Sequence, residues 1–272
     1  MSDPQRRKRM TRIGTALAVI LLVGFVSFPL VSGFAARFVP NSVQRPIGEQ
    51  MIESTASEAA LCTGDDGRAA IEGLAKKLAA ASESDAEFRI YIADADVLNA
   101  FAAPGGYIVL FRAIIDNAKG PDEVAGVLAH EMGHVVEDHP AKGVVEALGY
   151  GIFGLLVPGG GADTAGLAKT LLSSAHSRGD ELEADQVGVE MLNGAGIGSH
   201  GLVGFFQTLD EQGDSIPGAL EFVSTHPTGE TRTARLQEHV QDGEPALTEA
   251  EWEAVKSMCK TTGNAEPILA GG

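Results

Sequence analysis

The chain predicts an α+β fold, mainly helical, with one small sheet. Three observations carry this. Most apolar residues recur at three- and four-residue steps; only residues 88–92 and 99–109 read as extended; and 44% of the 272 residues are apolar, enough for one packed core.

The first segment is basic. Arg6, Arg7, Lys8, Arg9 and Arg12 lie within residues 1–12, while the rest of the chain holds 15 basic against 36 acidic residues, a net of −21. So acidic a body is repelled by nucleic-acid phosphates, so no nucleic-acid partner is expected; a salt-adapted source would give the same bias. Residues 13–36 follow without one charged side chain. That length suits a transmembrane anchor, and the small residues Ser32, Gly33, Ala35 and Ala36 also fit a signal sequence. Basic charge ahead of the run places residues 1–12 in the cytosol, with the remainder on the non-cytosolic (periplasmic) side, membrane-anchored, or secreted if the segment is cleaved.

Residues 37–48, with Pro40 and Pro46, read as a linker. Helical patterns occupy 49–60 and 66–81, where Ala69, Ile71, Leu74, Leu78 and Ala79 form one apolar face. Residues 88–92 alternate as a half-buried strand. Asn99, Ala100, Phe101, Ala102 and Ala103 then form an extended piece broken at Pro104-Gly105-Gly106, which suits a sheet edge. Pro121 opens a helix with Asp122 and Glu123 in its first turn, running to about residue 137, with Pro140 beyond. A buried helix is expected over 144–156, and further helices over 163–175, 179–192, 201–211, 229–239 and 248–258. Residues 264–272 read as a flexible tail.

Cys62 and Cys259 sit near opposite ends of the body and lack metal-ligand spacing. In an oxidising compartment they can form one disulfide; otherwise they are two buried thiols.

The chemistry-bearing motif lies on the helix from Pro121. His130, Glu131 and His134 form H-E-x-x-H. Residues four apart share a helix face, so both imidazoles can reach one Zn2+ ion, and Glu131 can take a proton from a metal-bound water. Three fixed positions match by chance on the order of 3% of the time in a chain this long, so flanking features decide. Apolar Leu128, Ala129 and Val135 make the helix buried, where unligated histidines gain little. His139 follows His134 by five residues and, on a continuing helix, points elsewhere; it reads as surface. A third ligand must come from further along. The segment 177–185, S-R-G-D-E-L-E-A-D, supplies Glu181 and Asp185 on one face and Glu183 on another. Spacing alone leaves Glu181 and Glu183 open as ligands. A catalytic ion keeps one position open for water, so a fourth side chain closing it permanently would oppose a hydrolytic reading.

These residues resemble the zinc endopeptidase family that includes the CAAX prenyl protease, HtpX, BepA and the mitochondrial protease Oma. The resemblance rests on His130-Glu131-x-x-His134, on Glu181 and Asp185 within S-R-G-D-E-L-E-A-D-Q-V-G, on Asn99 to Ala102 with Pro104-Gly105-Gly106, and on Thr225-His226-Pro227 with Arg232 beyond. It implies a zincin-like (gluzincin) fold over residues 49–263, with His130, His134 and Glu181 as ligands of one Zn2+ and Glu131 as the catalytic base. Asp185 and Arg232 then support the ligands. His226 approaches the metal or a tetrahedral intermediate, or else is a capping or core histidine. Residues 99–103 would accept a substrate strand by backbone pairing.

The function expected is therefore zinc-dependent cleavage of exported, unfolded or misassembled polypeptides at or near the membrane. Two alternatives stand beside it: a non-catalytic, zinc-containing holdase or scaffold, and a zinc hydrolase acting on cell-wall peptides.

Overall fold

The computed structural model describes residues 4–155, 176–212, 216, 219–227 and 230–271. The helix expected over 163–175 lies outside them, as do Leu156, Gly229 and Gly272. The chain order is α1 (Pro4–Ala36), α2 (Asn41–Glu58), β1 (Leu61–Cys62), α3 (Asp65–Ala81), β2 (Glu87–Ala93), β3 (Ala100–Ala103), β4 (Tyr107–Phe111), α4 (Arg112–Asn117), α5 (Pro121–Val136) and α6 (His139–Leu155). After the gap come α7 (Arg178–Gly194), α8 (His200–Gln212), α9 (Ala219–Thr225), α10 (Glu230–Gln237), α11 (Glu249–Ser257), a 3-10 turn (Met258–Lys260), β5 (Thr262–Gly263) and β6 (Ile268–Gly271). The fold is mainly helical with one small mixed sheet, as expected.

The sheet runs β3-β4-β2-β1-β5, with β6 also pairing β2. β2 is parallel to β4, with Ile90 opposite Ile108 and Ile92 opposite Leu110. Alternation along β2 sorts its side chains onto two faces. Phe88, Ile90 and Ile92 join Leu74 and Leu78 of α3 and Leu128 of α5 in the main core. Tyr91 and Ala93 join Met51 and Ile52 of α2 in a smaller cluster on the other face. α2 thus covers a face that alternation alone leaves half-buried.

Three expectations are corrected. The stretch 37–48 is not a linker throughout: α2 begins at Asn41 and continues through Pro46. Burial of Met51 and Ile52 against Tyr91 and Tyr107 outweighs the lost proline donor. The end of the chain is not a loose tail either. β6 pairs antiparallel with β2, Phe88 opposite Ala270 and Ile90 opposite Ile268. Ile268 and Ala270 are buried while Leu269 faces out, an alternation too short to read as a strand without its partner.

The third correction is the membrane. α1 does form over Pro4–Ala36, but among the described residues no helix is long and apolar enough to cross a membrane. The transmembrane anchor, the membrane partner and the membrane-anchored localisation drawn from it are withdrawn. Gly14, Thr15, Gly24, Ser27, Pro29, Ser32 and Gly33 dilute the uncharged run. Its C-terminal turns pack on α6, where the Ser32 hydroxyl donates to Glu146 Oε1 at 2.6 Å.

Cys62 of β1 and Cys259 of the 3-10 turn form a disulfide across 197 residues of sequence. Closing so long a loop restricts the unfolded chain, and losing such a bridge typically costs about 2–5 kcal/mol. Cys62→Ser/Cys259→Ser is therefore expected to unfold at a lower urea midpoint with an unchanged zinc content. An unaltered midpoint would show that the bridge contributes nothing to stability.

Candidate metal centre

α5 presents His130, Glu131 and His134 because its apolar residues, Val124, Val127, Leu128 and Met132, are buried on several sides and pull the whole helix inside. Asp122 and Glu123 occupy its first turn, where carboxylates favour the unpaired amides. α7 starts from a capping box: the Ser177 hydroxyl accepts from the Asp180 amide, and the Asp180 carboxylate accepts from the Ser177 amide. That fixes the first turn of α7, and with it Glu181.

Small residues let α5 and α7 approach to backbone contact. A Cβ at Gly133 would lie 2.5 Å from the Ala184 carbonyl oxygen, and one at Gly188 would lie 3.0 Å from the Ala129 carbonyl carbon. Four residues forward on α5 meet four residues back on α7, so the helices run antiparallel and Glu181 faces the two imidazoles.

Four buried donors converge: His130, His134, Glu181 and His226. The Nε2 atoms of His130 and His134 are 3.0 Å apart, and His226 Nδ1 lies 3.3 Å from His130 Nε2. Glu181 Oε1 is 3.3 Å from both His134 Nε2 and His226 Nδ1, and Oε2 is 3.5 Å from His130 Nε2. Bonds of about 2.0–2.1 Å at tetrahedral angles set donor–donor separations of about 3.3–3.4 Å. The observed separations, 3.0–3.5 Å, bracket that length. Both Glu181 oxygens are buried, ringed by the Arg232 guanidinium and the imidazoles. The buried cluster can hold a single metal ion, consistent with one Zn2+ per chain.

His226 makes the donor set four where the sequence led us to expect three. It follows α9, and its Nε2 lies 3.2 Å from the Ala100 carbonyl oxygen at the start of β3 and 3.5 Å from Glu131 Oε1. It therefore touches the ligands, the candidate base and the sheet edge together. Glu131 is fully buried beside the cluster, and neither of its oxygens has a hydrogen-bond partner.

Arg232 and Asp185 lie directly behind the converging side chains. Asp185 Oδ1 is 2.9 Å from His130 Nδ1, opposite the nitrogen that faces the cluster. Arg232 donates from Nη2 to the same oxygen at 2.7 Å, pairs with Glu181 and packs over the Phe206 ring at 4.5 Å. The protein groups alone set distinct proton affinities. Burial opposes charge on His130, but hydrogen bonds to Asp185 and Glu181 overcome it and hold the imidazole up at about 9. Burial and the neighbouring His176 push His134 well down. Burial drives the Glu131 carboxyl up. Glu181 is held far below the carboxylate range: burial opposes its charge, but His226, His130 and His134 outweigh it.

Two histidines escaped the sequence reading. His139 is buried rather than on the surface, with Nδ1 2.9 Å from His134 Nδ1. The helix does not continue past Val136; Asp138 adopts a left-handed backbone, φ 58°, and turns the chain back so that His139 faces α5. His176 stacks on His134 with ring centres 4.0 Å apart, and burial lowers it to about 3. Neither position carries a local pattern that would reveal it. His200, by contrast, is exposed and paired with Asp242.

The profile of Peptidase family M48 matches residues 66–240, which contain the whole cluster. The chain is 30% identical over 175 residues to the beta-barrel assembly-enhancing protease of Yersinia pestis, covering 59% of this chain and 36% of the relative. It is 31% identical over 155 residues to the mitochondrial metalloendopeptidase OMA1 of Arabidopsis thaliana (55% and 31% covered). To the OMA1 of Schizosaccharomyces pombe it is 27% identical over 176 residues (63% and 52% covered). The matched region thus spans about a third to a half of these relatives' lengths. With the profile covering about two thirds of the sequence and all four donors inside it, the chain belongs to peptidase family M48.

Proposed function

We propose that this protein is a zinc-dependent endopeptidase acting on extended, unfolded polypeptide. The observation that carries the reading is the convergence of His130, His134, Glu181 and His226 with the unpartnered carboxylate of Glu131 beside it. Family membership and the relatives' names, protease and metalloendopeptidase, support it.

Zinc held by these residues would lower the pKa of a bound water and polarise the scissile carbonyl. Glu131 then acts as base: it accepts the proton from the attacking water and passes it to the leaving amine. Its burial raises the affinity of the carboxylate for that proton. Asp185 fixes the His130 ring through Nδ1, and Arg232 steadies Asp185 and Glu181 at once.

β3 supplies the substrate surface in this reading. Among the described residues it has no strand on its outer side. The Asn99 carbonyl accepts from Phe111 of β4, whereas the Ala100 amide donates to its own neighbour Asn99 Oδ1 and the Ala100 carbonyl meets His226. Ala100 thus turns its backbone groups to the open edge, and by the two-residue period Ala102 does the same. A peptide added there pairs through its backbone and is read little by side chain, which suits unfolded substrates. It also competes with His226 for the Ala100 carbonyl. We assign His226 as the donor that yields its place to water, because the other three keep the His-His-Glu set of a catalytic zinc site.

The purified protein is expected to degrade unfolded casein, to lose that activity on removal of metal by a chelator, and to regain it with one equivalent of zinc. His226→Ala should retain the metal. Casein left intact by the zinc-loaded protein, with cell-wall fragments cleaved instead, would replace the substrate assignment; cleavage of neither would leave a zinc-containing holdase.

A further inference from the structure

We propose that His139 is a positioning residue for His134, holding that ligand through a directed pair of hydrogen bonds that ends on Glu183, with the Asp180 carboxylate alongside. The inference rests on the metal-ligand reading above. A His134 that ligates through Nε2 must carry its proton on Nδ1. That proton points at His139 Nδ1, 2.9 Å away, which is then obliged to be the acceptor. The proton of His139 accordingly resides on Nε2, and that nitrogen faces carboxylates: Glu183 Oε2 at 3.2 Å and Asp180 Oδ1 at 3.7 Å. Each atom in the series has a donor or acceptor role fixed by the one before it.

The surroundings hold the series in place. Asp180 is pinned by Lys142 Nζ at 2.6 Å and by the capping box with Ser177. The left-handed turn at Asp138 brings His139 into the protein at 4% exposure. The two ligand histidines are therefore oriented differently. On the Nδ1 side, His130 rests directly on Asp185, whereas His134 reaches a carboxylate through a second imidazole.

His139, Asp180 and Glu183 also lie close enough together to hold an ion themselves. The single proton between the two Nδ1 atoms decides against it. An ion on His139 Nε2 displaces the proton there, so a neutral His139 must carry it on Nδ1 and His134 must give up its own; His134 would then keep its proton on Nε2 and cease to be a ligand. The triad orients the first site rather than making a second.

Two carboxamide variants separate the roles. In His139→Asn the side-chain oxygen can replace the Nδ1 acceptor; in His139→Gln the carboxamide sits at the Nε2 place and leaves His134 Nδ1 without a partner. Zinc dissociation constants, measured by competition with a chelating dye, are expected within about threefold of the parent for Asn and about 10–100-fold weaker for Gln. The d–d spectrum after cobalt substitution should shift in the Gln variant only. Equal constants and spectra for the two variants would overturn the proposal, as would two zinc ions bound per parent chain. These readouts need no proteolysis, so a parent that binds zinc but cleaves nothing leaves the relay standing, whereas a parent that binds no zinc sinks the metal-site reading itself.

Discussion

Glu131→Gln is expected to lower casein cleavage by about 10²–10⁴-fold while one zinc ion per chain is retained. The substitution keeps the shape of the side chain and removes only its capacity to take up a proton. Glu131 is not among the four converging donors; it lies beside them, fully buried, with both oxygens unpartnered and His226 Nε2 at 3.5 Å. Burying a carboxylate without a hydrogen bond is costly, and a structural metal site has no use for one there. The measurements are metal content and initial rate on the same preparation. A Gln variant as active as the parent would remove Glu131 from the chemistry.

The second large effect is expected at Glu181. It is the one anionic donor among four, and the three imidazoles facing it cannot balance the ion's charge without it. Glu181→Ala should weaken zinc binding by more than the roughly 10–100-fold typical of residues that merely orient ligands. It should also disturb Arg232, which would keep Asp185 but lose its second carboxylate. Glu183→Ala, on the same helix but facing outward, should cost far less. Zinc content of the two variants after gel filtration distinguishes them, and full retention in Glu181→Ala would refute its place among the ligands.

Much of the site is legible in the chain because local geometry builds it. A four-residue step on a helix stacks His130 over His134 whatever surrounds them, and Pro121, Asp122 and Glu123 mark where that helix begins. Pairing a distant carboxylate with them is different. Glu181 and Glu183 have equal claims by spacing, and only the antiparallel contact of α5 with α7 at Gly133 and Gly188 turns the first inward. The membrane anchor was misread from length and absence of charge, whereas the small and polar residues within α1 and its packing on α6 tell otherwise.

From the sequence by itself come the α+β class, the metal-binding helix, the edge segment around Ala100 and the family, since each depends on contacts within a few residues or on a motif. The tertiary structure alone decided that His226 is a fourth donor, that His139 stands behind His134, that Cys62 joins Cys259 and that residues 268–271 complete the sheet. Those contacts join residues from 5 to 197 positions apart, and at His139 a single left-handed residue redirects the chain. Periodicity carries no information across such a break, because the direction of a side chain there is set by what the returning chain packs against.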